Sequence, residues 1–125
     1  MTMQREFSFK SANKKGNIQA YIWEPAQGVE KKAIVQICHG ASEHALRYAD
    51  FAQFLANNGY VVVSMDYLGH GKSGNGHFGF IASEGGHKIL AKDTFYLSEF
   101  AKNEYLLPLV IFGFGMGSLI ARYAC

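Results

Sequence analysis

The sequence has few of the residues and patterns that mark several large protein classes. It contains only two cysteines, Cys38 and Cys125, which are too few for a disulfide framework and favour a cytoplasmic location. Cys38 closes an apolar run, so we expect it to be a small buried hydrophobic residue. The N-terminal segment MTMQREFSFK lacks the apolar core of a signal peptide, and no apolar run approaches the length of a membrane span.

The charge pattern argues against a further class of protein, and the length limits the number of domains. Twelve basic residues and ten acidic residues are mixed along the chain, so no basic stripe predicts binding to nucleic acid. There are no repeats and no linker rich in proline, glycine or serine. A length of 125 residues, with 49% hydrophobic residues, is typical of one globular domain, and we predict a single, incomplete domain over 1–125.

What the sequence does contain is a regular series of apolar segments. Alternating apolar residues predict a β-hairpin over 5–12 and 17–23. Continuous apolar runs predict three buried strands, and apolar residues at helical spacing predict helices between and after them. The predicted strands are 33–38, 60–67 and 108–113, and the predicted helices are one around Tyr48–Leu55 that stops at Gly59, one over 84–104, and one from Gly117 onward.

This order predicts an α/β fold with three parallel strands and helices on both faces of the sheet, because crossovers between parallel strands are right-handed. Functional loops of such sheets lie at the carboxyl ends of the strands. Here those loops begin at His39, Leu68 and Gly113.

One of these loops contains glycine patterns that could indicate a nucleotide site. GHGKSG at 69–74 matches G-x-G-x-x-G, but the residues after it do not open a helix that could receive a pyrophosphate. Gly71-Lys72-Ser73 matches the last three residues of a P-loop motif, but the first glycine of that motif would fall on Asp66. The five histidines show no metal-binding spacing. We therefore expect neither a cofactor nor a metal ion.

Three segments together resemble a known family. They are HGASEHALRYADFAQFLANNGY (39–60), DYLGHGKS (66–73) and FGFGMGS (112–118). In order, spacing and strand context they resemble the serine α/β hydrolases of the monoacylglycerol lipase and lysophospholipase group, which overlaps the serine aminopeptidase-like hydrolases. The resemblance covers nearly the whole chain and about the first half of the family's domain, and it implies an ester or lipid-like substrate.

The resemblance also implies roles for individual residues. In this fold the nucleophile lies on a G-x-S-x-G elbow, and two backbone N–H groups stabilise the oxyanion. The corresponding donors here are the N–H groups of Ala41 and Met116. The remaining positions would shape the first loop or leave room for the elbow, and they are His39, Gly40, Glu43, Gly113 and Gly117.

The sequence departs from the family at the centre of this motif. Gly115 occupies the nucleophile position, and Phe114 stands where the family has a histidine. The family's acid and histidine follow the nucleophile, so they would fall beyond Cys125. Ser73 and Ser118 do not lie in an elbow context. We therefore predict that this chain is catalytically incompetent as it stands.

Three interpretations remain open: an N-terminal portion of an ester hydrolase, a non-catalytic binding or interaction protein on the same scaffold, and a truncated gene remnant. The resemblance also implies an expectation for the strand 108–113. If the family's strand order holds, this strand lies beside 33–38 as an uncovered apolar edge, which predicts self-association through it.

Overall fold

The computed structural model describes residues 3–12, 16–39, 45–66 and 86–113. The strands are β1 (Met3–Lys10), β2 (Asn17–Glu24), β3 (Ala33–Cys38), β4 (Tyr60–Met65) and β5 (Leu109–Gly113), and the helices are a 3₁₀ helix (Ala45–Tyr48), α1 (Ala49–Asn57) and α2 (Gly86–Tyr105). The predicted helix after Gly117 and the glycine loop at 69–74 lie outside the described residues.

The strands form one mixed sheet in the order β1-β2-β4-β3-β5. β1 and β2 are an antiparallel hairpin, and β2 continues antiparallel onto β4. β3 is parallel to β4 on one side and to β5 on the other, with Val35 paired to both Val62 and Val110. The hairpin and the three parallel strands are therefore confirmed.

Each face of the sheet carries its own apolar core. On one face α1 contributes Ala52 and Ala56, which pack with Val35, Ile37 and Val62 from the sheet. The other face packs Ile34, Cys38, Val61 and Val63 against Leu97 and Ala101 of α2. Side chains alternate along strands, so neighbouring residues serve opposite cores. Helices on both faces are confirmed, and Cys38 is buried as expected.

The connection from α1 to β4 depends on a glycine with a left-handed backbone. Gly59 has a φ of +94°, and a Cβ atom added to it would lie 3.1 Å from the carbonyl oxygen of Glu30. The prediction that Gly59 stops the helix is thus confirmed by its conformation.

α2 ends differently, at a residue that is not glycine. Leu106 has a φ of 56°, and its N–H donates to the Lys102 carbonyl at 2.9 Å. This single bond satisfies one of the carbonyls left free at the helix end. Leu106 is 83% exposed, so an apolar side chain stands in solvent at a strained position.

β5 corrects one expectation. The run 108–113 was predicted to be buried on both faces, but Val110 is 53% exposed and Phe112 is 44% exposed. In the strand order of the described residues β5 is the last strand, and α2 packs on the face that holds Leu109 and Ile111. On the opposite face Phe112 meets Phe51 edge-on, with ring centroids 6.1 Å apart.

Candidate active-site edge

The three parallel strands end at the same edge of the sheet. Cys38 pairs with Gly113, and Ile37 pairs with Ser64. Extending the second register by two residues brings Asp66 alongside His39. His39 and Asp66 are both buried, with 0% and 1% exposure. The structure therefore brings His39, Asp66 and the end of β5 to one edge, as expected for loops at the carboxyl ends of strands.

Asp66 organises this edge. One carboxylate oxygen, Oδ1, accepts a hydrogen bond of 2.7 Å from the Ala45 N–H, and Oδ2 accepts one of 3.3 Å from the Tyr21 hydroxyl. The Asp66 N–H donates to the Gln19 carbonyl at 2.9 Å. Asp66 thus connects β2, the end of β4 and the start of the 3₁₀ helix.

The hydrogen bond from the Ala45 N–H to Asp66 matters because of where Ala45 lies in the sequence. Ala45 is the first described residue after the segment 40–44, which includes the predicted oxyanion donor Ala41 and the supporting residues Gly40 and Glu43. Asp66 thus fixes the position of Ala45, the residue directly after that segment. His39, buried at the end of β3, is the last described residue before it.

Tyr21 remains a hydrogen-bond donor in this arrangement. Its pKa is raised well above the usual value, first because burial disfavours the phenolate and then because the Asp66 carboxylate lies beside it. The hydroxyl is therefore protonated throughout the physiological range and donates to Asp66.

A hydrogen bond between β3 and β4 also stabilises this edge of the sheet. The buried Ser64 hydroxyl donates to the Ile37 carbonyl at 2.7 Å. Ser64 and Ile37 lie two residues before Asp66 and His39, respectively. The two strands are thus held together next to the ends of β3 and β4.

A second polar cluster lies in the middle of the sheet. Gln36 is 1% exposed, and its Nε2 donates to the Thr94 carbonyl of α2 at 3.0 Å. Its Oε1 accepts a hydrogen bond from the Ser98 hydroxyl. These contacts fix α2 against β3, and they involve no reacting group, so their role is structural positioning.

The sequence pattern identified His39 and Gly113 but did not single out Asp66 or Gln36 as site residues. Asp66 could have been found as the acidic residue that ends an apolar strand and opens the DYLGHGKS motif. Gln36 is the only polar residue within the run AIVQIC. The predicted positions Gly40, Ala41, Glu43, Gly115, Met116 and Gly117 lie outside the described residues.

Two findings on the described part of the chain concern metal binding and membrane insertion. Among the residues of the described ranges, no group of three histidine, cysteine, aspartate or glutamate side chains could hold a metal ion. Within those same ranges, no helix is long and apolar enough to cross a membrane.

The fold and the arrangement of its strand ends define the class of protein. A mixed sheet with an N-terminal antiparallel hairpin, parallel strands flanked by helices, and candidate site residues at the carboxyl edge is an α/β-hydrolase architecture. The crystal structure of a thermostable carboxyl esterase from Bacillus coagulans, in complex with glycerol, superposes with a TM-score of 0.89 and 35% identity. The match covers 97% of this chain and 39% of that one.

Within that class the chain belongs to the Hydrolase_4 family, serine aminopeptidase S33, whose model matches residues 29–125. A monoglyceride lipase homolog of Monkeypox virus is 34% identical over 108 residues, which are 86% of this chain and 37% of that protein. A monoacylglycerol lipase of Mycolicibacterium smegmatis is 31% identical over 118 residues, covering 82% of this chain and 36% of that protein. The chain thus spans little more than a third of these relatives, and the resemblance found in its motifs is confirmed.

Proposed function

We propose that the chain forms the N-terminal part of a carboxylic-ester hydrolase scaffold of the monoacylglycerol lipase kind, with an ester or lipid-like molecule as its ligand class. The observation that carries this proposal is the bond from Ala45 to the buried Asp66 carboxylate. It fixes Ala45, the residue after the segment that would supply an oxyanion donor, at the edge where hydrolases of this fold place their chemistry.

We further propose that residues 1–125 do not hydrolyse esters. Serine hydrolases need a nucleophile, a base to accept its proton, and donors for the oxyanion. Gly115 stands at the nucleophile position of the elbow sequence FGFGMGS. A longer protein carrying this segment could supply an acid and a histidine from later residues, but glycine would still leave it without the serine.

Two other functions stay open. A non-catalytic binding protein is favoured by the contrast between Gly115 and the intact network around Asp66, because a binding scaffold needs the fold and not the nucleophile. A truncated gene remnant is equally consistent with the glycine. Inspection of the DNA after codon 125 tests the last interpretation: a stop codon followed by sequence that still encodes a late aspartate and histidine would indicate truncation, whereas an uninterrupted frame encoding them would indicate a longer hydrolase.

The direct test is labelling with a fluorophosphonate, which reacts with activated serines. We expect no labelled peptide and no turnover of short p-nitrophenyl esters above background. The purified esterase from Bacillus coagulans, whose structure matches this one, is a positive control. Stoichiometric labelling of any serine, Ser73 for instance, would overturn the assignment of Gly115 as the vacant nucleophile position.

Two further expectations belong to this proposal. Self-association through β5 is supported by the edge position of that strand and by its exposed apolar side chains. The cytoplasmic location stays a prediction that rests on the cysteine content.

A further inference from the structure

The end of α2 is fastened to the N-terminal hairpin through one hydroxyl group. The Tyr105 hydroxyl donates to the Glu24 carboxylate at 2.5 Å and accepts a hydrogen bond of 2.7 Å from Nη2 of Arg5. The same Nη2 lies 3.5 Å from the Glu24 carboxylate and 3.7 Å from the Glu104 carboxylate. Arg5 belongs to β1 and Glu24 is the last residue of β2. These contacts, which we call the Tyr105 clamp, therefore join three elements that are distant in the sequence.

The clamp requires Tyr105 to keep its proton. Burial raises the pKa of the Tyr105 hydroxyl above its usual value, and the hydrogen bond to Glu24 raises it further, although Arg5 acts in the opposite direction. The hydroxyl is therefore a donor at neutral pH. Because its acceptor is a carboxylate, this hydrogen bond is stronger than one between two neutral groups.

The chain that follows Tyr105 is constrained from its other end. Two residues, Leu106 and Leu107, connect Tyr105 to Pro108. The Pro108 carbonyl accepts a hydrogen bond of 2.8 Å from the Ile34 N–H, which ties the start of β5 to β3. Leu107 packs against the core on the α2 face, and its place before a proline disfavours a helical backbone. The change of direction between α2 and β5 therefore falls on Leu106.

Leu106 makes this change of direction with an unfavourable backbone. Its φ of 56° lies in the left-handed region, which a residue with a Cβ rarely adopts. Its side chain is 83% exposed, so packing of the side chain does not hold the residue there. A strained backbone persists where the surrounding structure imposes it. The residues on either side of Leu106 must therefore supply the constraint.

We infer that the Tyr105 clamp imposes the left-handed backbone of Leu106, so that the clamp and the strain act as one coupled joint between α2 and β5. Without the clamp, the last turn of α2 is free to open locally, and Leu106 leaves the left-handed region. With the clamp, the end of α2 and the start of β5 stay at a fixed separation. β5 runs from this joint to Gly113, which pairs with Cys38 at the candidate active-site edge.

A double-mutant cycle measures this coupling, because it isolates the interaction between two positions. Leu106→Gly relieves the strain, and its effect is measured in four backgrounds. Tyr105→Phe removes the clamp from α2, whereas Glu24→Ala removes it from the hairpin and leaves the neighbour of Leu106 intact. The unmodified chain is the reference. Tyr96→Phe is the matched control, since it removes a hydroxyl from a tyrosine of α2 that is 52% exposed.

Urea denaturation of the 125-residue chain gives the first readout. In the unmodified chain and in Tyr96→Phe, Leu106→Gly should lower the equilibrium constant of unfolding by about fivefold. In Tyr105→Phe and in Glu24→Ala, the same substitution should lower it by less than about twofold, because the strain has already been relieved. The two clamp variants test the same joint from opposite sides, so either one suffices if the other does not fold.

Hydrogen exchange gives the second readout, in the folded state. The Leu106 N–H donates to the Lys102 carbonyl at the end of α2. In Tyr105→Phe and in Glu24→Ala, the Leu106 amide should lose protection relative to the amide of Val62, which lies in a central strand and reports global unfolding. In Tyr96→Phe the two amides should keep their relative protection.

The inference is overturned if Leu106→Gly has the same effect in the clamp variants as in the unmodified chain. It is also overturned if the Leu106 amide keeps its relative protection without the clamp, or if Tyr96→Phe reduces the effect of Leu106→Gly as strongly as Tyr105→Phe does. An unmodified chain that gains nothing from Leu106→Gly would show that there is no strain to impose. All of these measurements are made without a substrate, so they are independent of the proposed hydrolase function.

Discussion

The Asp66 carboxylate receives the Ala45 N–H at 2.7 Å, so the end of β4 holds the residue that follows the predicted oxyanion segment. Asp66 lies 21 residues after Ala45, and only the fold brings them together. Both are buried, which removes water as an alternative partner for the amide. Ala45, the residue that follows the segment 40–44, is therefore held by a contact that does not involve the nucleophile position.

Replacing Asp66 should destabilise the chain. Asp66→Ala leaves the Ala45 N–H and the Tyr21 hydroxyl buried without this acceptor, and we expect a loss of about 2–4 kcal/mol in the free energy of unfolding. Urea denaturation measures it. Asp50→Ala, at an exposed position in the first turn of α1, is the control and should change stability by less than about 1 kcal/mol. Equal effects of the two substitutions would show that the Asp66 network contributes nothing.

Gly28 and Gly59 have similar backbone angles but different surroundings. Substitutions at the two positions therefore separate the cost of backbone strain from the cost of steric crowding. Gly28 has a φ of +89° and open space where a Cβ would lie, whereas at Gly59, with a φ of +94°, a Cβ would meet the Glu30 carbonyl oxygen at 3.1 Å. Gly28→Ala should cost roughly 1–2 kcal/mol from the left-handed conformation alone. Gly59→Ala should cost more, because backbone must also move. Thermal or urea unfolding of both variants gives the comparison, and an equal cost would mean that the contact with Glu30 relaxes freely.

At Leu106 the reverse substitution, to glycine, should relieve backbone strain. Its φ of 56° is unfavourable for a residue with a Cβ, and its side chain is 83% exposed, so little packing is lost on removal. Leu106→Gly should raise the free energy of unfolding by about 1 kcal/mol. Leu106→Ala keeps the Cβ and should give no such gain. If Leu106→Gly and Leu106→Ala had equal free energies of unfolding, Leu106 would carry no backbone strain.

The buried carboxyl of Asp93 predicts a pH-dependent stability. Burial raises its pKa, although the Ser11 hydroxyl and the Ala12 N–H, each 2.7 Å away, act in the opposite direction. Because the folded pKa exceeds the unfolded value of 3.8, folding favours the protonated form. The resulting stability is present below the unfolded pKa and is lost as the pH rises through the folded pKa.

Asp93→Asn preserves the shape of this group and removes its charge. The variant should be more stable than the unmodified chain at neutral pH, and the difference should shrink as the pH falls through the folded pKa toward the unfolded one. Urea denaturation at a series of pH values measures this difference, and titrations of other groups cancel in it. A variant that is less stable at neutral pH would show that the two hydrogen bonds to the carboxylate outweigh its burial.

Local patterns were sufficient to predict most of the fold. Ile18, Ala20 and Ile22 alternate because one face of β2 lies in a core, and Leu97 and Ala101 are four residues apart because α2 packs one face on the sheet. Such periodicities are produced by burial itself. The hairpin, the parallel strands and the helices on both faces followed from them.

Features that depend on distant partners were not predictable in the same way. The run Leu109–Phe112 is as apolar as a buried strand, and its own residues do not encode whether another strand lies beside it. Its place beside β3 was expected from the family's strand order and not from the run itself. The role of Asp66 depends on Tyr21 and Ala45, which reach it from other elements. Motif matching nevertheless located the edge of the sheet where His39 and Asp66 lie.

The last prediction concerns Gly115→Ser in the 125-residue chain. The substitution restores the elbow pattern G-x-S-x-G, but a serine hydroxyl without a base is a poor nucleophile at neutral pH. We expect no multiple turnover of p-nitrophenyl esters. The matched variant Gly115→Ala, which adds a Cβ without a hydroxyl, should give the same background rate. Adding a downstream hydrolase segment that carries the acid and the histidine should be required for activity with Gly115→Ser, and it should have no effect with Gly115→Ala. Clear turnover by Gly115→Ser alone would mean that one of the five histidines already serves as its base.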